Sequence, residues 1–234
     1  MRELVLIAGW GMRASVWEAL ARECAQSFRV RCVDALANGG AQALVDNYAA
    51  NADARVTVCG WSLGAQLALR WALAYPQQVE HLVLIAATPC FVARPDWAHG
   101  MARATFDAFA ANFARDADGT LERFAALQAH GDDAARAVAR TLRPGIALGG
   151  DVCALGAGLE LLAVTDMRSE LAAAHQRTLV VHGERDAVVP LAAGEYLARS
   201  LPQATFEAVA GAGHAPFVTR EAMIARRIAE FCDE

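Results

Sequence analysis

Gly60-Trp61-Ser62-Leu63-Gly64 directly follows the apolar, β-branched run Arg55-Val56-Thr57-Val58-Cys59 and directly precedes a helical pattern from Leu63 to Tyr75. A strand, then Gly-x-Ser-x-Gly, then a helix is the context that a nucleophile elbow requires. The chain must reverse so sharply at the serine that residues two positions to either side need to be nearly free of side chain. The same turn exposes the hydroxyl at a helix N-terminus, where backbone N–H groups favour developing negative charge. The competing reading is a plain tight turn whose serine caps the helix.

Working outward from the elbow, strand and helix alternate. Residues 4–8 read as a strand, 16–24 as a helix, 28–34 as a second strand and 42–51 as a helix after an Asn38-Gly39-Gly40 loop. The third strand, 55–60, leads into the elbow. Its helix ends near Tyr75-Pro76, because proline disfavours helix in the residue before it. His81-Leu-Val-Leu-Ile-Ala86 is a fourth strand. Near Cys90 the pattern changes. Residues 96–143 are rich in alanine and arginine, with helical periodicity and no convincing strand. Gly145, Gly149, Gly150, Gly156 and Gly158 then interrupt the chain before a helix at 159–164. Alternation resumes with strands at 178–182 and 204–209 and helices at 191–200 and 221–231. Apolar strands separated by helices indicate an α/β fold with a mostly parallel sheet covered on both faces. The expected organisation is a core of residues 1–92 and 166–234 interrupted by a helical insertion at 93–165.

Composition narrows the chemistry. The 234 residues suit one domain with room for an insertion. Mean hydropathy is +0.24, yet no apolar run reaches the length of a spanning helix. The N-terminal apolar run meets glycines rather than a cleavage pattern and reads as a first strand, not a signal peptide. The net charge of −5 gives no reason to expect nucleic-acid binding. All 21 basic residues are arginine, which excludes a Schiff-base lysine and lysine-dependent phosphate loops. The six cysteines lack Cys-x-x-Cys pairing, so a reduced, cytoplasmic setting is expected. No His-Glu-x-x-His or Gly-x-Gly-x-x-Gly is present, and neither metal nor other cofactor is expected.

A serine hydroxyl needs a base within hydrogen-bond reach, and histidine suits that task. Of six histidines, His81 and His182 fall in strands and read as core or edge residues. His99, His130 and His175 fall in helices or loops where solvated side chains are usual. His214 differs, because Gly211-Ala-Gly-His-Ala-Pro216 is a small-residue loop directly after the last strand. The imidazole in turn needs a carboxylate to fix its tautomer. Asp186 lies in the proline-bounded loop Gly183-Glu-Arg-Asp-Ala-Val-Val-Pro190 at a strand end, with Glu184 and Asp166 as rivals. Two N–H donors for an oxyanion are expected from Leu63, after the serine, and from Trp10 in the loop after the first strand.

These residues resemble the α/β-hydrolase superfamily over essentially the whole chain. More narrowly, the chain resembles the BioH family, the carboxylesterases of biotin synthesis that remove the methyl ester from pimeloyl-acyl carrier protein. The resembling segments are Gly9-Trp-Gly11, the elbow, Pro89-Cys-Phe91 with Ala93, Arg94 and Trp97, and Glu122-Arg-Phe-Ala-Ala-Leu-Gln128. Gly158-Leu-Glu-Leu-Leu162, Asp166-Met-Arg168 and His214-Ala-Pro-Phe217 complete them. The resemblance implies a Ser62–Asp186–His214 triad, an oxyanion site at Trp10 and Leu63, and a lid whose Phe124, Ala125, Ala126, Leu127 and Gln128 face the acyl chain. It also implies that lid arginines grip an acidic acyl carrier protein. Arg136, Arg140 and Arg143 recur at helical spacing, with Arg123 one helix earlier. A monomer with no membrane or nucleic-acid partner is expected. The rival functions are a small-ester esterase or thioesterase and a hydrolase-fold binding protein. Two departures stand out. Ala8-Gly9 replaces the usual His-Gly, and the chain opens almost directly on its first strand, so one sheet edge is expected to be short.

Overall fold

The computed structural model describes residues 1–35 and 40–234. Its centre is a sheet of parallel strands in the order β2-β1-β3-β4-β5-β6. The strands are β1 Arg2–Ile7, β2 Phe28–Val33, β3 Val56–Trp61, β4 Val79–Ile85, β5 Arg177–Gly183 and β6 Ala204–Val209. β1, β3, β4 and β5 are almost wholly buried, whereas the edge strands β2 and β6 are half-exposed. That gradient follows from the sequence. The central strands are near-continuous apolar runs, as a sheet covered on both faces requires.

The covering helices are α1 Glu18–Cys24, α2 Gly40–Ala50, α3 Leu63–Ala74, α8 Leu191–Ser200 and α9 Glu221–Asp233. Four more, α4 Arg103–Arg115, α5 Ala117–Ala129, α6 Ala135–Leu142 and α7 Val152–Val164, lie in the chain between β4 and β5. Of the expected Asn38-Gly39-Gly40 loop, Asn38 and Gly39 lie outside the described residues, and Gly40 opens α2. The expected helix at 16–24 begins instead as a 3-10 turn, Ala14–Trp17.

One expectation was wrong by two helical turns. The helix anticipated at 159–164 starts at Val152 and passes through both Gly156 and Gly158. Its start is set by Asp151, whose side chain accepts hydrogen bonds from Cys153 N and Ala154 N. Glycine is disfavoured in a helix interior by about 1 kcal/mol relative to alanine, so Gly158 needs another reason. A Cβ there would come within 2.8 Å of Trp10 Cδ1. The glycine lets α7 rest directly on the indole of Trp10, which donates from Nε1 to Leu155 O at 2.8 Å.

The sheet brings the strand ends together. Ile7 of β1 pairs with Gly60 of β3, and Gly60 pairs with Leu84 of β4. Helix α3 then leaves β3 so closely that a Cβ on Gly64 would lie 2.3 Å from Ile7 O and 2.4 Å from Ala8 O. A Cβ on Gly60 would lie 2.2 Å from Gly64 O. Both obstacles are backbone, which cannot move aside as a side-chain tip does. Gly64→Ala is therefore expected to destabilise the protein by about 3 kcal/mol or more, near the upper end for overpacking. The change is to be read as a lowered midpoint in urea unfolding.

Candidate active site

Ser62 sits at the β3–α3 junction with φ 57° and ψ −118°. A positive φ in a residue with a side chain is costly and persists only where the surroundings impose it. Here the imposition is clear, because Ser62 N donates to Ile85 O at 3.0 Å while α3 is pressed onto β1. The helix-capping reading of this serine fails, since its side chain makes no cap hydrogen bond. Gly9, in the loop after β1, approaches the same turn. A Cβ on it would stand 3.4 Å from Ser62 Cβ.

His214 is fully buried, and its Nδ1 lies 2.8 Å from Asp186 Oδ2. The other ring nitrogen, Nε2, is buried with no hydrogen-bond partner among the described residues. Asp186 Oδ1 accepts from Val188 N at 2.8 Å and Val189 N at 2.9 Å. Burial acts to raise the Asp186 carboxyl. The electrostatic pull of the adjacent His214 ring and the hydrogen bonds of His182 and His214 outweigh it and hold the group far below the usual carboxylate range. The rival carboxylates are elsewhere. Glu184 is exposed, and Asp166 is paired with Arg168 at 2.7 Å and Arg94 at 3.4 Å.

The His214 loop is held by contacts that no local pattern in the sequence announces. Trp61, the second residue of the elbow, donates from its indole N–H to His214 O at 2.8 Å. His214 N donates to Gln128 O at the end of α5 at 3.2 Å. In the α5–α6 connection, the buried Asp132 carboxylate accepts from Gly213 N at 3.0 Å and from Arg220 Nη1 at 3.0 Å. Asp133 N donates to Gly211 O at 2.9 Å. Helices α5 and α6 are therefore tied to the loop carrying His214.

Trp10 is buried, its ring meeting Phe109, Phe113 and Phe124 at centroid distances of 5.4, 5.5 and 5.3 Å. Phe109 and Phe124 also line a groove of about 580 Å³ between α4 and α5, with Leu127 and Arg123 at its wall. Phe124, Ala125 and Gln128 point inward, whereas Ala126 is exposed and Leu127 is 37% exposed. The expected stretch 124–128 thus divides between two faces of α5. Leu63 is fully buried at the first position of α3. Arg136 and Arg140 stand exposed on α6, with no ion-pair partner among the described residues, and Arg143 follows just beyond it. Arg123 is engaged with Asp116 at 3.3 Å. Among the described residues no group of three or more His, Cys, Asp or Glu is arranged to hold a metal ion. None of the described helices is long and apolar enough to cross a membrane.

A serine forced into the left-handed region at a strand–helix turn, a buried His–Asp pair and this parallel sheet define an α/β hydrolase, and residues 3–221 match the alpha/beta hydrolase fold family. A bromoperoxidase from Bacillus anthracis superposes with a TM-score of 0.88 at 20% identity, covering 100% of this chain and 92% of that one. Within that fold, the chain belongs to the family of pimeloyl-[acyl-carrier protein] methyl ester esterases. The protein of that name from Aromatoleum aromaticum is 42% identical over 232 residues, 93% of this chain and 92% of that one. Its counterpart from Nitrosomonas europaea is 37% identical over 227 residues, 93% of this chain and 90% of that one.

The Asp132 anchor has a testable consequence. Burial acts to raise its carboxyl, but Gly213 N, Ala134 N and Arg220 hold it below the usual carboxylate range. A group depressed on folding stabilises the protein above its unfolded pKa, and that contribution is lost as the pH falls through the folded value. Asp132→Asn is expected to cost about 1–3 kcal/mol at neutral pH. The gap from wild type should narrow below about pH 4, as urea unfolding at the two pH values would show.

Proposed function

We propose that this chain is a serine carboxylesterase that hydrolyses the methyl ester of pimeloyl-acyl carrier protein, releasing methanol and pimeloyl-acyl carrier protein in biotin synthesis. One observation carries the chemistry: an imidazole fixed on a buried carboxylate through Nδ1, with Nε2 unpartnered among the described residues and the ring centroid 5.6 Å from that of Trp61 in the elbow. The chain-wide similarity to esterases named for that substrate carries the choice of ester.

In this reading Ser62 Oγ attacks the ester carbonyl carbon while His214 Nε2 takes its proton. The backbone N–H groups of Leu63 and Trp10 receive the oxyanion. Leu63 opens α3, so its N–H belongs to the first turn, where helix N–H groups lack intrahelical acceptors. Collapse breaks the C–O bond to methoxide, which leaves as methanol with the proton held by His214. Water then attacks the acyl-serine, His214 accepts its proton, and the carboxylic acid departs as Ser62 regains its hydrogen. Asp186 stays ionised throughout and supports the imidazolium formed in each half-reaction.

Residues 93–165 act as a lid. Its Phe124 and Gln128 wall the acyl chain together with Trp10, and Arg136 and Arg140 meet the acidic carrier protein. Exposed and without ion-pair partners among the described residues, these two arginines keep their field for steering an acidic partner, even on a chain of net charge −5. Arg123 contributes less, because Asp116 already partners it.

Ser62→Ala is expected to lower turnover of the carrier-bound methyl ester on the order of 10⁴-fold or more, measured as methanol release. An active alanine variant would sink the mechanism. For the carrier, the double variant Arg136→Glu with Arg140→Glu should lower kcat/KM about tenfold or more at low salt. High salt should narrow that loss, since screening weakens exposed pairs. Hydrolysis of p-nitrophenyl butyrate, which needs no carrier, is the parallel control. Equal losses on both esters would remove the arginines from carrier recognition.

A further inference from the structure

The Asp186 carboxylate faces two imidazoles. Besides His214 Nδ1 at 2.8 Å, its Oδ2 lies 3.2 Å from Nε2 of His182, on β5, and both histidine side chains are fully buried. His182 Nε2 also lies 3.0 Å from Val189 O. Both neighbours of that nitrogen are acceptors, so it carries the proton and shares it between them. The opposite nitrogen, Nδ1, is buried with no hydrogen-bond partner among the described residues, which agrees with a bare lone pair there. Val189 closes the circuit, because its own N–H donates to Asp186 Oδ1 at 2.9 Å.

The ring is confined as well as bonded. A Cβ on Gly194, inside α8, would come within 2.3 Å of His182 Nδ1. A glycine in a helix interior costs about 1 kcal/mol relative to alanine, and an aliphatic residue at 182 would continue the apolar run Leu179-Val180-Val181 without needing a donor. The chain instead places a ring whose one useful N–H is directed at the carboxylate.

We infer that His182 is a positioning residue for ester hydrolysis: its Nε2–H, shared by Asp186 Oδ2 and Val189 O, fixes the carboxylate in the orientation that holds His214. This rests on the proposed roles of Ser62, His214 and Asp186. With Oδ1 held by two backbone N–H groups and Oδ2 by two imidazoles, the carboxylate has no freedom to turn away when His214 becomes charged. His182 touches neither the ester nor the transferred proton, so its removal acts on turnover rather than on binding.

The test uses the full chain, with p-nitrophenyl butyrate as the ester and 15N-histidine spectra as the structural readout. In the wild type, His182 should show the Nε2–H tautomer and His214 a proton on Nδ1. A His182 carrying its proton on Nδ1 alone overturns the inference without any variant being made. His182→Phe, of similar volume but without a donor, should lower kcat about tenfold or more with KM unchanged, the loss of one hydrogen bond to a charged group. It should also shift the His214 Nδ1–H resonance. His182→Gln, whose amide supplies an N–H near the place of Nε2, should recover most of kcat. Wild-type kcat in His182→Phe, or equal losses in both variants with the His214 resonance unmoved, overturns the role. Ser62→Ala separates the two levels. If it stays active, the proposed mechanism itself fails. If it is inactive while His182→Phe turns over normally, only the role of His182 falls.

Discussion

A methyl group at position 64 would overlap the carbonyl oxygens of Ile7 and Ala8, and the rest of the site depends on the approach that its absence permits. Glycine alone lets the start of α3 lie on the end of β1. That contact leaves the chain only one residue, Ser62, in which to turn from strand to helix, and the turn forces φ to 57°. In this backbone state the serine side chain makes no cap hydrogen bond to the helix it precedes. The same contact sets the Gly9-Trp10 loop beside the serine. The backbone strain at Ser62 and the two glycines are therefore one structural decision, made where three central strands end together.

The second half of the site is assembled from distant chain segments. Asp186 gets its place from the backbone of its own loop, since Val188 N and Val189 N bind one carboxylate oxygen. The loop carrying His214 is different, because it is small-residue backbone with little side chain of its own to pack. Its position is set from outside, by Trp61 below and by Gln128 and Asp132 above. Trp61 in turn packs against Phe217, which follows His214 closely and also stacks near Trp17 at 4.3 Å. An imidazole buried to this degree keeps one orientation only if the backbone beneath it is held at several points.

Much of this was legible in the residues and part of it was not, for physical reasons. The strands were readable because buried parallel strands are continuous apolar runs, and the elbow because its glycines carry a steric requirement in their spacing. Asp186 and His214 were readable as residues of loops directly after strands. Asp132 was not, because its partners Gly213 and Arg220 lie 81 and 88 residues away, and nothing local marks an aspartate as buried. His182 looked like a core residue of β5. Only the folded geometry shows that its ring reaches the next loop. The start of α7 was misplaced because Gly156 and Gly158 read as breakers. Tertiary contact with Trp10 overrides that local cost, and Asp151 supplies the cap that sets the true start.

Helices α4–α7 are therefore not independent of the chemistry beneath them. Gln128 O and Asp132 receive N–H groups from the His214 loop, and Leu155 O receives the indole N–H of Trp10. Separating α5 from the sheet breaks the bonds that position His214, and separating α7 frees the indole of Trp10. Each of these groups lies in the interior, so a shift that left one buried without a partner would carry the full cost of an unmade hydrogen bond. The groove between α4 and α5, by contrast, has apolar walls at Phe109, Phe124 and Leu127, with Asn112, Thr120 and Arg123 as its polar part. Apolar side chains can exchange neighbours without leaving a polar group unpaired, while hydrogen-bonded backbone cannot. Among these helices, the apolar, non-directional packing thus lies along the α4–α5 seam, and the directional hydrogen bonds that hold the His214 loop lie at the α5–α6 turn.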